Sequence, residues 1–377
     1  MTPLRWRVAN EAPTGPVTPV ELFFDLVFVF TLTQLTQRLE HELSFAEAGR
    51  SLLLFAVLWW MYTGYVWLTN HVPPRRAAQK LLLFAGMAGF FVAALGVPHA
   101  FDRSGLVFGA GYLIVIVVHL LLFTQADVLS GVLRLAPFNL GSGLLILGAG
   151  FTHGPAVYAL WVAAFLVQAV APYVAPRRSG VGTAQLFHVA PAHFAERHGL
   201  LVIVALGESV VAIGMGVDVG RLSAALAGSV VLALALPGAL WWAYFMEADA
   251  GERALARADG RTRSLLAVNA YFFAHIPMLL GIVAAAAGMR AVMAHPHAPL
   301  ALPSAVELAG GVALFLVGIA TFRHALAIDR PASRLVAAAA TLATIPIGTA
   351  SSAGLQLAVI VAVAVATIVL DRRGRAE

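Results

Sequence analysis

Long apolar runs with few charges recur along this 377-residue sequence. Each is about 20 residues long, the length at which an α-helix crosses the hydrocarbon core of a bilayer. Hydrophobic residues make up 60% of the chain and charged residues only 11%, and the mean hydropathy is +0.86. A soluble chain of this length needs far more charge to cover its surfaces. Because the runs are continuous rather than alternating, a transmembrane barrel is excluded. The sequence therefore predicts an all-α polytopic membrane protein.

About twelve transmembrane helices are predicted from these runs. The predicted spans are 19–38, 46–69, 78–97, 104–124, 128–150, 155–174, 192–216, 222–246, 265–290, 304–325, 333–349 and 354–371. Three of them begin with the spacing of a capping box, in which Ser or Thr is followed three residues later by Glu. These are Thr18–Glu21, Ser44–Glu47 and Ser304–Glu307.

The Lys and Arg residues lie almost entirely on one side of the predicted membrane. With twelve spans the termini and alternate loops share one side, which holds 18 of the 24 Lys and Arg residues; the other side holds five, and Arg197 lies inside a span. Cytoplasmic loops carry such an excess of positive charge, so we expect both termini in the cytoplasm. These Arg residues explain the net charge of +5 and the pI near 10, which therefore indicate a lipid bilayer and not a nucleic acid as partner.

The two groups of six spans share short sequence patterns. Glu21 and Glu196 each open a group, and the Leu-Trp-Trp-Met-Tyr of Leu58–Tyr62 resembles the Leu-Trp-Trp-Ala-Tyr of Leu240–Tyr244. Because six is an even number, the groups would run parallel, related by an axis along the membrane normal. The predicted divisions are a cytoplasmic tail at 1–18, a first half at 19–176, a cytoplasmic linker at 177–191, a second half at 192–371 and a basic cytoplasmic tail at 372–377.

Ionisable residues inside the first and seventh spans are the strongest candidates for function. A charged side chain at mid-membrane costs about 2.5–3.5 kcal/mol on insertion scales, so it is a functional candidate by default. Glu21 and Asp25 share one helix face because they are four residues apart. Glu21 has an alternative role as a helix cap, whereas Asp25 needs a partner or a proton. His193 and Arg197 are also four residues apart, and Glu196 points about 100° away from Arg197.

Glu208 lies deeper in the seventh span, where a buried acid suggests a proton or cation step. It shares a helix face with Arg197, about 16 Å away along the axis. A protonated carboxyl that binds a neighbouring helix is the alternative. For Arg197 the alternative is structural, namely a pair with Glu196, Glu21 or Asp25 that holds the halves together.

Other polar residues within the predicted spans are Thr33, Gln34, His119, Gln168, Asn269 and His275. One polar cavity between the halves would explain them, although each alone is more often a helix-packing residue. The His193–Glu196 spacing reverses the order found in di-iron helices, and because no second ligand set accompanies it, no metal site is predicted. The chain has no cysteine, no phosphate loop and no dinucleotide fingerprint, so no cofactor is expected.

Four segments resemble the bacterial low temperature requirement protein A family. They are Val20–Phe30 (VELFFDLVFVF), Glu196–Leu200 (ERHGL), Leu206–Gly214 (LGESVVAIG) and His275–Pro277 (HIP). The resemblance implies an integral protein of the bacterial cytoplasmic (inner) membrane, in a family whose name records a growth trait rather than a reaction. It also implies that Glu21, Asp25, Glu196, Arg197 and Glu208 are the characteristic polar residues.

Two functions follow from these patterns. A secondary transporter coupled to a proton or another ion would use a polar site between two parallel halves to move an unknown small solute. The alternative is a membrane-embedded enzyme that acts on a lipid or isoprenoid at the cytoplasmic side, with the charged residues as acids and bases. If the halves are parallel repeats around one site, Asp25 should face Glu196 and Arg197 across it. Arg197 should then lie within salt-bridge reach of Glu21, Asp25 or Glu196. Changing Asp25 to Asn should then leave a buried unpaired cation, at a cost of about 3–5 kcal/mol.

Overall fold

The computed structural model describes residues 16–41, 44–125, 129–174, 189–217, 224–328 and 331–376, which are helical with short connections and contain no strand. The helices are α1 (Pro19–His41), α2 (Phe45–Thr69), α3 (Ala77–Gly96), α4 (Gly105–Phe123), α5 (Leu129–Ala149), α6 (Pro155–Val174), α7 (Pro191–Gly216), α8 (Ala224–Arg257), α9 (Gly260–Leu266), α10 (His275–Ala294), α11 (Leu302–Leu326), α12 (Ala332–Leu342), α13 (Ile345–Ala350) and α14 (Ala353–Ala376). A 3₁₀ turn follows α3, and a π-helix, Ala267–Phe273, joins α9 to α10.

Ten helical segments in these ranges are long and apolar enough to cross a membrane. They are Pro19–Glu40, Phe45–Thr69, Ala77–His99, Gly105–Phe123, Pro191–Gly216, Leu226–Arg257, Gly260–Ala294, Leu302–Leu326, Ala332–Ala350 and Ala353–Arg373. The two other predicted spans, 128–150 and 155–174, coincide with α5 and α6. The protein is therefore an all-α polytopic membrane protein, as its sequence predicts.

Two of the three predicted capping boxes form one of their two reciprocal hydrogen bonds. The backbone N–H and hydroxyl of Thr18 donate to Glu21 Oε2 at 2.9 and 2.7 Å, and the backbone N–H of Glu47 donates to Ser44 Oγ at 3.1 Å. The third prediction is wrong. Helix α11 begins at Leu302, with Pro303 in its first turn. Proline is tolerated there because the first backbone N–H groups of a helix have no partner within the helix. Glu307 therefore lies in the second turn of α11, beyond the reach of a cap.

The helix after Arg257 has a start that the sequence did not predict. Asp259 accepts a hydrogen bond from the backbone N–H of Thr262 at 2.8 Å and so caps α9. This hydrogen bond also lowers the pKa of the exposed Asp259 carboxyl. A π-helix follows α9, within a span that was predicted as one continuous α-helix. π-helical segments occur frequently at functional sites.

The first of two compact units comprises Met1–Leu35, Gly49–Leu200 and Ala256–Ala267. Its core contains stacked aromatic rings from α1 and α2, with centroids 4.1 Å apart for Phe28 and Tyr62 and 4.8 Å apart for Phe24 and Tyr65. Glycines let α3 and α4 approach closely. A Cβ atom added at Gly96 would lie 2.7 Å from the backbone nitrogen of Phe108.

The second unit comprises Thr36–Ala48, Leu201–Leu255 and Val268–Glu377. Here α10 and α11 approach closely, again at glycines. A Cβ atom at Gly281 would lie 2.5 Å from the carbonyl oxygen of Gly311, and one at Gly288 would lie 2.5 Å from the backbone nitrogen of Leu308. Small residues at these positions let the two backbones touch, which is the usual means of helix packing in lipid.

Candidate functional site

Helices α1 and α7 bring two acids and one arginine into contact inside the first unit. Arg197 Nη2 lies 2.6 Å from Asp25 Oδ1, and Arg197 Nη1 lies 3.1 Å from Glu21 Oε1. All three residues have a relative exposure of 0%. The four-residue spacing of Glu21 and Asp25 along α1 lets both carboxylates reach one guanidinium group, because residues at this spacing lie on the same helix face.

Three further side chains complete this group. The Tyr62 hydroxyl donates to Asp25 Oδ1 at 2.8 Å, and His193 Nε2 lies 3.2 Å from Glu21 Oε1. Arg197 Nη1 donates to Thr69 Oγ1 at 3.4 Å. We refer to Glu21, Asp25, His193 and Arg197 as the Arg197 cluster. Tyr62 and Thr69 of α2 are hydrogen-bonded to it.

The Arg197 cluster contains more acid than base. Two carboxylates face one guanidinium group, and only a proton on His193 or on one carboxyl makes the charges equal. Within the residues that the structure describes, Asp25 Oδ2, Arg197 Nε and His193 Nδ1 are buried and have no hydrogen-bond partner. Buried polar atoms are nearly always satisfied, and exceptions mark functional positions or bound water and ions. The cluster can therefore take up and release a proton or accept a small polar ligand.

Arg197 lies within salt-bridge reach of Asp25, as predicted, and the cost of Asp25→Asn remains a prediction. Arg197 also pairs with Glu21, so loss of the Asp25 charge leaves the guanidinium with one carboxylate. Arg197→Gln has the larger expected cost, because it leaves two carboxylates buried without a cation. Glu196 is exposed, and it accepts a hydrogen bond from the backbone N–H of Val17 at 3.0 Å. Of the three acids proposed for Arg197, Glu21 and Asp25 thus provide its ion pairs.

Three other predicted site residues, His119, Gln34 and Asn269, lie outside the Arg197 cluster. His119 is 6% exposed and packs against Tyr65 and Phe123, with ring centroids 5.2 and 4.8 Å away. Gln34 is half-buried on α1, and the side chain of Asn269 is exposed within the π-helix.

In the second unit, Glu208 is buried in α7 at 5% exposure. His275 is fully buried at the start of α10, where its Nε2 lies 3.0 Å from the Tyr244 hydroxyl and its Nδ1 lies 3.0 Å from the carbonyl oxygen of Ala270. The π-helix places this carbonyl beside the ring.

A second ionic group was missed by the sequence analysis. Arg323 Nη2 lies 2.5 Å from Glu247 Oε1 and 2.6 Å from Asp371 Oδ2, and Arg334 Nη2 lies 3.0 Å from Asp371 Oδ2. Both arginines are fully buried, although their sequence positions suggested an orientation signal in or beside cytoplasmic loops. The sequence did contain a signal for this group, because Glu247 and Asp371 each stand directly after an apolar run. Two acids face two arginines here, so this group is balanced in charge.

No group of three or more His, Cys, Asp or Glu side chains suited to a metal ion occurs in the described ranges.

Comparison with known proteins gives a family match over nearly the whole chain. The family model described as bacterial low temperature requirement A protein (LtrA) matches residues 16–369. A protein of Rhizobium meliloti (strain 1021), itself described as uncharacterized, is 29% identical over 308 residues, which cover 79% of this chain and 75% of that protein. The resemblance seen in four short segments is thus confirmed, and the match includes every residue of the Arg197 cluster.

Proposed function

This chain belongs to the bacterial low temperature requirement A protein family, and we propose that it is a secondary transporter of the cytoplasmic (inner) membrane, coupled to a proton or another small ion. In this proposal the Arg197 cluster binds the coupling ion. The transported solute is a small molecule, which a vesicle assay with a panel of solutes can identify.

The charge imbalance of the Arg197 cluster is the observation that carries this proposal. A purely structural ion pair is most stable when its charges are equal, as in the group around Arg323 and Arg334. The Arg197 cluster instead keeps a surplus carboxylate at full burial, with Asp25 Oδ2 lacking a hydrogen bond within the described ranges. Ionisable residues at membrane depth that pair with one another typically form ion pathways and proton relays.

One small cavity in the first unit is lined by a residue that contacts the Arg197 cluster. A cavity lined by Leu68, Thr69, Gln79 and neighbouring residues holds about 10 Å³, and Thr69 contacts Arg197. This volume suits about one water molecule.

Matching glycine contacts support two parallel repeats. In the first unit Gly89 and Gly96 lie seven residues apart on α3 and face α4. In the second unit Gly281 and Gly288 have the same spacing on α10 and face α11. Helices α3 and α4 are the third and fourth predicted spans, and α10 and α11 are the ninth and tenth. A repeat of six spans equates these two pairs, which is the arrangement of many transporters.

The proposal can be tested with purified protein in vesicles that contain a pH-sensitive dye. A panel of amino acids, sugars, nucleosides, organic acids and organic cations is added outside, and proton movement is recorded for each. We expect at least one solute to move protons with the wild-type protein. Asp25→Asn should abolish this movement, because it removes the surplus carboxylate.

Glu196→Gln is the matched control. Glu196 is adjacent to Arg197 in sequence, but it is exposed. Its variant should therefore retain the proton movement of the wild-type protein. Wild-type vesicles that respond to no solute in the panel, or an Asp25→Asn variant that responds normally, would contradict the proposal. A new lipid product in vesicles with the wild-type protein would instead support the enzyme alternative.

A further inference from the structure

The small cavity that Thr69 lines has a second polar lining residue, Gln79 of α3. Both side chains are buried, at 3% and 2% relative exposure. The apolar lining residues are Leu68, Val72, Pro74, Leu83 and Leu122. The volume of about 10 Å³ is close to the least that holds one water molecule, which also needs at least two polar partners. A water site here therefore requires that Thr69 and Gln79 have hydrogen-bonding capacity left.

Thr69 keeps one acceptor position for a water molecule. A hydroxyl group offers one O–H donor and two acceptor lone pairs. The Thr69 hydroxyl donates to the carbonyl oxygen of Val66 at 3.4 Å and accepts from Arg197 Nη1 at 3.4 Å. In the contacts of the described residues its second lone pair is not used. A water bound there would be separated from the Arg197 guanidinium group by the Thr69 hydroxyl alone.

Gln79 keeps one donor. Its Oε1 accepts from the backbone N–H groups of Arg75 and Arg76 at 3.1 and 3.0 Å, which caps the start of α3 and fixes the orientation of the amide. Its Nε2 carries two hydrogens and donates one of them to Gln125 Oε1 at 3.3 Å. Gln125 is 3% exposed, and its own Nε2 has no hydrogen-bond partner among the described residues. The cap therefore explains Oε1 of Gln79 and leaves an Nε2 hydrogen for a water.

These polar residues connect the Arg197 cluster with the protein surface. Thr69 contacts the buried guanidinium group of Arg197. Gln79 binds the backbone of Arg75 and Arg76, and both arginines are exposed in the connection between α2 and α3. The charge asymmetry of the loops predicts that this connection is cytoplasmic. One water molecule in the cavity would complete a line of polar groups from this surface to the cluster.

We propose that this cavity binds one exchangeable water molecule, which accepts a hydrogen bond from Gln79 Nε2 and donates one to Thr69 Oγ1. This water is the point at which the Arg197 cluster communicates with the solvent beside Arg75 and Arg76. A metal cation is disfavoured as the ligand, because Gln79 offers an N–H donor and the nearby Arg197 is positively charged. The use of this water as the access route of the coupling proton rests on the proposed function, whereas the water site itself does not.

X-ray footprinting of the purified protein in lipid nanodiscs tests the water site without any solute. Radiolysis of a bound water molecule produces hydroxyl radicals, which oxidise the side chains in contact with it even when they are buried. We expect oxidation of Leu83, which is 1% exposed and lines the cavity. Leu54 of α2 is 0% exposed and does not line it, so it should stay unmodified. When water labelled with heavy oxygen is mixed in just before the pulse, the Leu83 product should carry the label, because the bound water exchanges with solvent.

Thr69→Val and Thr63→Val are a matched pair, because both threonines lie on α2 and are buried. Valine keeps the branched shape of threonine without its hydroxyl group. Thr69→Val should lose the oxidation of Leu83. Thr63 donates to the carbonyl oxygens of Trp59 and Trp60 at 2.9 Å and does not line the cavity, so Thr63→Val should keep it. In the vesicle assay Thr69→Val should slow proton movement, and Thr63→Val should not.

Four outcomes would overturn the proposal. They are a wild-type Leu83 as unmodified as Leu54, oxidation of Leu83 that Thr69→Val leaves unchanged, the same loss in Thr63→Val, and a Leu83 product without heavy oxygen, which would mean a trapped water. If Thr69→Val does not fold, Val72→Ile replaces it, since the added methyl group fills the cavity without removing a polar group. Oxidation of Leu83 that persists in Val72→Ile then contradicts the proposal.

The two proposals fail separately. An unmodified Leu83 removes the water site and leaves the transporter proposal intact. If no solute moves protons in the vesicle assay, the access role fails together with the transporter proposal, whereas oxidation of Leu83 still decides whether the cavity binds water.

Discussion

At the scale of single residues, the role of a buried charge depends on how many opposite charges surround it. Arg323 and Arg334 face two carboxylates, so the charges are equal and the group can act as a lock between helices. Arg197 also faces two carboxylates but has no second arginine beside it in the described contacts. The proposed proton exchange at the Arg197 cluster rests on this surplus of acid.

Glu21 and Glu196 offer a matched comparison, because each lies near the start of its span. Glu21→Gln removes an ion pair with Arg197 and weakens the contact with His193, so we expect the free energy of unfolding to fall by about 1–3 kcal/mol. Glu196→Gln changes an exposed side chain and should alter it by less than about 0.5 kcal/mol. Denaturant unfolding in detergent micelles measures both. Equal losses of unfolding free energy in the two variants would show that the buried ion pair of Glu21 does not stabilise the protein.

The sequence predicted which residues of α1 and α7 would meet, because helical spacing and the cost of burying charge act locally. It predicted neither the partners of Arg323 nor the failed cap at Glu307. Arg323 lies near the end of an apolar run, where arginines usually mark the cytoplasmic side, and only the packing of α8, α11 and α14 shows that it is buried. The helix start predicted at Ser304 was wrong because α11 begins two residues earlier, with Pro303 in its first turn.

At the scale of helices, the positions of glycines decide how closely α10 and α11 pack. A Cβ atom at Gly311 would collide with the backbone of Ala285, whereas the nearest atom to a Cβ at Gly310 is 3.9 Å away in Val306. We therefore expect Gly311→Ala to lower the free energy of unfolding by about 1–3 kcal/mol through overpacking. Gly310→Ala should be neutral or stabilising by up to about 1 kcal/mol, since alanine favours helix.

Thermal unfolding of the two glycine variants in the same detergent provides this comparison. Because Gly310 and Gly311 are adjacent in one helix, differences in membrane depth or helix propensity are small. A Gly311→Ala protein that unfolds at the wild-type temperature would show that the close approach of α10 and α11 is not required for stability.

At the scale of the whole molecule, the absence of cysteine from the sequence makes the predicted orientation directly testable. Asp102 and Asp259 are both exposed, and the charge asymmetry of the loops predicts that they lie on opposite sides of the membrane. In intact cells a membrane-impermeant maleimide should label Asp102→Cys. It should label Asp259→Cys only after the cells are made permeable. Labelling of both residues in intact cells, or the reverse pattern, would refute cytoplasmic termini with twelve spans.

The central claim is that Arg197 and Asp25 belong to one coupled charge group inside the membrane, and a double-mutant cycle tests it most directly. Arg197→Gln alone should cost about 3–5 kcal/mol, because two buried carboxylates lose their cation. Asp25→Asn in the same protein should recover part of that loss, with an interaction energy of about 0.5–3 kcal/mol. Unfolding free energies of the wild type, the two single variants and the double variant supply this value. Single costs that add to within about 0.3–0.5 kcal/mol would contradict the claim.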